Sequence, residues 1–201
     1  GPRTRRRHAT VKEKNTNNGL GCSENAAEAD KNVNNEHCPR LIGLLNALQE
    51  PLRVLSDQLL PANKGARFAM TDTGTGAIDL MVETDIELDL ERLETLSAFA
   101  HEHQVSRITV KSSNNLLDPG IELNPVMISL SGFNIPLPPD SFLQPSLDGE
   151  RILTDLVMDA ASGCQDVIDL YAGVGTFTVP LAGIAKNVLA IDGAAHQIAA
   201  L

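Results

Sequence analysis

Leucines stand at Leu41, Leu44, Leu45, Leu48, Leu52, Leu55 and Leu59 of the stretch HCPRLIGLLNALQEPLRVLSDQLLP. That spacing repeats one face of a helix. Pro39 suits a first-turn position, and Pro51 is expected to break or kink the helix. Further on, ARFAMTDTGTGAIDLMVET reads as two strands joined at Gly74-Thr75-Gly76, where glycine supplies positive φ. DLERLETLSAFAHEHQ then returns to helical spacing, with Leu90, Leu93, Leu96 and Ala100 on one face. SRITV and VMISLSG are short strands, and RRHATVK near the start is another. The Asn-rich stretch after it reads as a loop or loose hairpin. Strands and helices mix without repeats, which predicts an α+β unit over 1–138.

IPLPPDSFLQPSLDGE is stiffened by proline and marks the expected boundary. In 139–201 the order changes to that of an α/β sheet. An amphipathic helix over GERILTDLVMDAAS ends with Gly163 as its C-cap. Strand 166–170, a glycine loop, a helix through about Ala185 and strand 187–191 ending at Asp192 follow. The overall class is therefore α/β: an α+β domain, then the N-terminal part of a Rossmann-like domain.

Charge adds one asymmetry. The 201 residues carry a formal net charge of −10, which argues against a surface that coats nucleic acid everywhere. Yet Arg3, Arg5, Arg6, Arg7, Lys12 and Lys14 crowd the first stretch. Such a segment is either a basic arm for phosphate or a solvated strand end. With no Trp, one Tyr and 3% aromatic residues, a sheet that stacks RNA bases on exposed rings is not expected. No apolar run approaches the roughly 20 residues of a membrane-spanning helix. Three widely spaced cysteines, Cys22, Cys38 and Cys164, form no disulfide framework and suit a reducing cytoplasm.

The candidate chemistry lies in VIDLYAGVGTFTVPLA, Val167 to Ala182. Val167 and Ile168 are expected to bury a parallel strand, with Asp169 near its carboxyl end. Gly173 and Gly175 permit a tight turn and close approach of the backbone to a ligand. About twenty residues on, Asp192 ends the next strand, where an acid binds both hydroxyls of a ribose. A dinucleotide site would want a third glycine against the helix N-terminus, and that position is Thr178. An adenosine ribose without phosphates, as in S-adenosylmethionine, needs no such approach. The bland alternative is a strand–loop–helix turn whose glycines serve packing alone.

DLYAGVGTFTVPLA resembles the S-adenosylmethionine loop of the RNA uracil-5 methyltransferases, which act on uridine in transfer or ribosomal RNA. FLQPSLDGE is similar to that family's Phe-x-Gln segment, RTRRRHATVK to its Arg-rich strand, and HCPRLIGLLNALQEPLR to its Cys-Pro segment and helix. TDTGTGAIDLMVET is similar to a strand pair of bacterial members. The resemblance implies cofactor contacts from Gln144, Tyr171, Thr176 and Asp192, with Gly173 and Gly175 shaping the loop. It also implies an RNA-facing role for 1–138 and a monomeric full-length protein. In cluster-containing members the Cys-Pro cysteine, here Cys38, is the fourth ligand of a 4Fe-4S cluster. A cluster takes four thiolates, and the other three would precede residue 1.

The family's chemistry adds a Cys thiolate to C6 of uracil, so that C5 attacks the methyl group, and a carboxylate then removes the C5 proton. Both groups lie downstream of the ribose-binding acid in the family, and Cys164 precedes the loop. No catalytic residue is therefore expected in this chain. The expectation is a fragment, poorly stable and inactive alone. A methyltransferase acting on a non-RNA substrate and a non-catalytic RNA-binding module remain as alternatives.

Overall fold

A computed structural model describes residues 5–12, 21–23 and 41–201, and they form two compact units, 1–125 and 126–201. The first unit holds β1 (Arg7–Lys12), β2 (Gly21–Ser23), α1 (Gly43–Ala47), α2 (Gln49–Leu59), β3 (Ala66–Asp72), β4 (Ile78–Glu83), α3 (Leu90–His103), β5 (Arg107–Lys111) and β6 (Leu117–Glu122). The second holds β7 (Met127–Leu130), β8 (Phe133–Pro136), α4 (Leu147–Ala160), β9 (Asp166–Leu170), α5 (Thr178–Ala182), β10 (Asn187–Ile191) and α6 (Ala195–Ile198).

In the first unit the strands form one mixed sheet, ordered β2-β1-β3-β4-β5-β6. β3 and β4 are the expected hairpin, turning through Gly74 and Gly76 at φ 78° and 90°. α3 crosses over to bring β5 parallel to β4. Alternate strand residues Phe68, Met70, Leu80, Val82, Ile108 and Val110 bury one sheet face in a core with Leu45, Leu52, Leu55, Leu59, Leu96 and Phe99. Between neighbouring β4 and β5, Asp79 accepts two 2.9 Å hydrogen bonds from Arg107, and both residues are buried. A bidentate pair satisfies what either charge alone would leave unsolvated.

Three details differ from the sequence reading. The leucine-rich helix breaks at Leu48, ahead of Pro51, and Pro51 sits in the first turn of α2, where its missing N–H costs nothing. Pro39 lies outside the described residues. Leu90 is 73% exposed: it opens α3 right after the capping Asp89, whose carboxylate accepts from Arg92 N at 2.9 Å, and the buried stripe begins nearly two turns later at Leu96. β6 was not anticipated, because LDPGIE contains Pro119 and Gly120. As an edge strand it tolerates the proline, and Gly120, at φ 51° beside a bulge in β5, leaves no room for a Cβ, which would lie 2.5 Å from the Ile108 carbonyl oxygen.

The second unit begins earlier than the boundary read at 138/139. Met127–Leu130 pairs with Phe133–Pro136 across a turn at Ser131 and Gly132, φ 49° and 86°. Val126, Ile128, Leu130, Ile135 and Leu137 from this hairpin then bury with Leu143 and Val174 in one apolar cluster. Ser146 caps α4 by accepting from Gly149 N at 3.1 Å. The helix ends at Ala160 with Ala161 as its C-cap, two residues before Gly163, which takes φ 80°. β9 and β10 pair in parallel, Ile168 opposite Leu189 and Leu170 opposite Ile191. α5 is only five residues long and packs on β10. The expected burial of β9 is not met: Val167 and Asp169 are only half-buried, and Ile168, Leu170, Leu189 and Ile191 are 46–62% exposed, as are Ile152 and Leu156 of α4.

Candidate cofactor site

Between β9 and α5 the chain turns through three left-handed residues: Tyr171 at φ 61°, Gly173 at 57° and Gly175 at 89°. Two of these are glycines, as the turn demands. Tyr171 holds the conformation with a full side chain, which costs roughly 1–2 kcal/mol and marks a position fixed by its surroundings. Its neighbours are indeed pinned. Ala172 N donates to Ile191 O at 3.1 Å, and Gly175 N donates to Ala172 O at 2.9 Å. The Tyr171 ring is 89% exposed.

Asp192 fastens the loop from the other strand. One carboxylate oxygen accepts from Gly173 N at 2.9 Å, and the other from Ala194 N at 2.7 Å. The Ala194 and Gly173 N–H groups hold the Asp192 carboxyl below its usual range, with smaller help from Gly193 N–H and His196 and against partial burial. Asp192 thus stays ionised, and each oxygen keeps a further acceptor site for a ligand. Under the loop, Thr178 Oγ1 donates to Asp169 Oδ2 at 2.5 Å. The position where a dinucleotide site would place a third glycine therefore carries a buried hydroxyl tied to the carboxyl end of β9.

The two loop glycines have a second reason to lack side chains. A Cβ on Gly173 would lie 3.3 Å from Gln197 Oε1, and one on Gly175 would lie 1.9 Å from Leu201 Cδ1. The residues after Asp192 therefore pack onto the loop, a role for its glycines beside the tight turn and ligand approach expected of them. The signal was in AAHQIAAL, whose small residues let a short helix come close.

Of the other residues singled out, Thr176 is half-buried within the loop. Gln144 is half-buried beside Leu143, and Leu143 shares its apolar cluster with Val174 of the loop. The structure thereby brings the Gln144 segment, the loop and Asp192 into one unit. Cys38 lies outside the described residues, and Cys164 is exposed. Among the described residues no group of His, Cys, Asp and Glu is arranged to hold a metal. Of the basic stretch, Arg6 is buried, Arg5 and Arg7 are half-buried, and Arg3 and Lys14 lie outside the described residues. The part described is thus built into the fold rather than a solvated end.

The fold has a solved counterpart. The tRNA (uracil-54, C5)-methyltransferase of Pyrococcus abyssi, in complex with S-adenosyl-L-homocysteine, matches with a TM-score of 0.71 and 18% identity, over 98% of this chain and 50% of that one. The chain shares the fold of the matching half of that protein. No family model matches the chain. In sequence it is 26% identical over 181 residues to the 23S rRNA (uracil(1939)-C(5))-methyltransferase RlmD of Tolumonas auensis, covering 89% of this chain and 40% of that protein. It is 28% identical over 165 residues to the protein of the same name from Shewanella woodyi, covering 81% and 37%. Both relatives carry the name of an RNA uracil-5 methyltransferase, and the chain spans less than half the length of each.

Proposed function

We propose that this chain is the RNA-facing domain and the first half of the cofactor site of an enzyme that methylates C5 of uridine in transfer or ribosomal RNA, using S-adenosylmethionine. One observation carries the choice of cofactor. The N–H that a glycine loop would offer to a pyrophosphate is already spent, because Gly173 N donates to Asp192. No lysine or arginine stands between Arg151 and Lys186 to neutralise a phosphate. What remains is an ionised carboxylate with open acceptor sites, which suits ribose hydroxyls.

In this reading Asp192 orients the ribose, and the Tyr171 ring or hydroxyl contacts the nucleoside. Gln144, able to donate and accept at once, contacts the cofactor from the neighbouring segment, and Thr176 does so from the loop. When bound, the cofactor supplies an electrophilic methyl group on a sulfonium. We assign no nucleophile or base to this chain: Cys164 precedes the loop, and the activation of uracil is left to the longer protein. That protein works as a monomer in the cytoplasm, a reducing compartment that suits three widely spaced cysteines. Were a 4Fe-4S cluster bound, Cys38 would be one ligand, and the three cysteines of this sequence could not furnish all four thiolates.

Calorimetry with S-adenosylhomocysteine tests the cofactor half of the proposal. The 201-residue chain is expected to bind it, and Asp192→Ala to bind at least about tenfold more weakly, the scale of one charge-assisted hydrogen bond. Equal affinities would remove Asp192 from the site. For the longer protein, release of the C5 hydrogen from uridine-labelled RNA is the matching assay.

A further inference from the structure

Gln197, the third residue of α6, is 91% buried, with a relative exposure of 9%. Its backbone is engaged at both ends: its N–H donates to Ala194 O at 2.9 Å, and its carbonyl accepts from Ala200 N at 3.2 Å. Its side-chain amide, by contrast, makes no hydrogen bond among the described residues. An amide carries two donors and two acceptor sites, and burying it without a partner is costly. Among the described residues, the fully enclosed side-chain atoms that lack a hydrogen bond do not include those of Gln197, so its amide is not sealed. It keeps an opening.

Gln197 Oε1 lies over Gly173, 3.3 Å from where a Cβ would stand. Gly173 is also the residue whose N–H is bonded to Asp192. Two side-chain acceptors, one from Asp192 and one from Gln197, thus converge on one bare stretch of backbone. A leucine or methionine would fill the same volume at no polar cost. The presence of an amide calls for a polar partner that the protein does not supply.

We propose that Gln197 is a further ligand-binding residue of this site, hydrogen-bonding a ribose hydroxyl of the nucleoside that Asp192 holds. The inference rests on the cofactor reading above and deepens it. Vicinal hydroxyls present two donors to neighbouring acceptors, and the carboxylate of Asp192 has already given one acceptor site per oxygen to Gly173 and Ala194. The amide of Gln197 completes the set.

The test separates binding from packing. Gln197→Met keeps the length and helix propensity of the side chain and removes the amide. If the amide serves a ligand, Gln197→Met melts no lower than the wild-type chain, since an unsatisfied buried group is gone. It also binds S-adenosylhomocysteine about tenfold more weakly, as expected for one lost hydrogen bond to an otherwise unpaired group. Unchanged affinity would overturn the proposal, and so would a lowered melting temperature with unchanged affinity. Gln197→Leu repeats the measurement should the methionine variant not fold. Absence of binding by the wild-type chain would instead overturn the cofactor reading itself, so the two failures are told apart by the control.

Discussion

Tyr171 offers a clean separation of folding from binding. Its ring is 89% exposed, so its removal strips almost no buried surface from the fold. Exposed substitutions of this kind change stability by about 0.5 kcal/mol or less. Tyr171→Ala leaves the left-handed φ of 61° in place, and alanine meets the same backbone cost as tyrosine there. The melting temperature is therefore expected to stay within a degree or two, about the shift that 0.5 kcal/mol produces in a chain of this size. Binding is a different matter. A ring packed on a nucleoside base contributes about 1–3 kcal/mol, and its loss corresponds to about a 5- to 150-fold weaker Kd. The sequence supplies its own probe: with one Tyr and no Trp, intrinsic fluorescence reports Tyr171 alone. Titrating wild type with S-adenosylhomocysteine is expected to change that emission saturably, and calorimetry then compares wild type with Tyr171→Ala. An unchanged Kd would refute the contact. A melting temperature lower by many degrees would refute the premise that the ring is idle in the fold.

The remaining predictions concern charge. Asp79→Ala leaves Arg107 buried and unpaired and is expected to cost about 3–5 kcal/mol, read by urea denaturation; replacing both residues by leucine is expected to recover most of the loss. The Asp192 carboxyl sits below its unfolded value of about 3.9, so the contribution of its ionised form is fully present above that value and is lost as pH falls through the lower, folded value. Cofactor affinity is accordingly expected to be flat from neutral pH down to about 5 and to decline only below the usual carboxylate range. A decline centred near pH 6 in calorimetric titrations would point to another group.

Much of this arrangement was legible in the residues, because the sequence signals that carried it are local. The β3–β4 turn needed Gly74 and Gly76, and strand–loop–strand from Asp166 to Asp192 is set by alternation and glycine. What escaped reading depends on contacts distant in sequence. LDPGIE does not look like a strand until the edge of a sheet excuses Pro119, and Gly120 is explained only by the Ile108 carbonyl across the bulge. The β7–β8 hairpin joins the second unit because Ile128 and Ile135 find Leu143 and Val174 further along the chain, a pairing no periodicity announces. Within the site, the order of loop and acid was readable. That Asp192 clamps Gly173, and that Gln197 and Leu201 fill the space the glycines leave, was not, since both follow from how a four-residue helix settles.

The uncovered side of the β9–β10 pair has a practical corollary. Four aliphatic side chains lined up against water form a strip that any neighbouring molecule can shelter. Each centrifugal concentration or salting-out step therefore drives copies of this polypeptide into one another, and a mild detergent or dilute storage is the natural remedy at the bench.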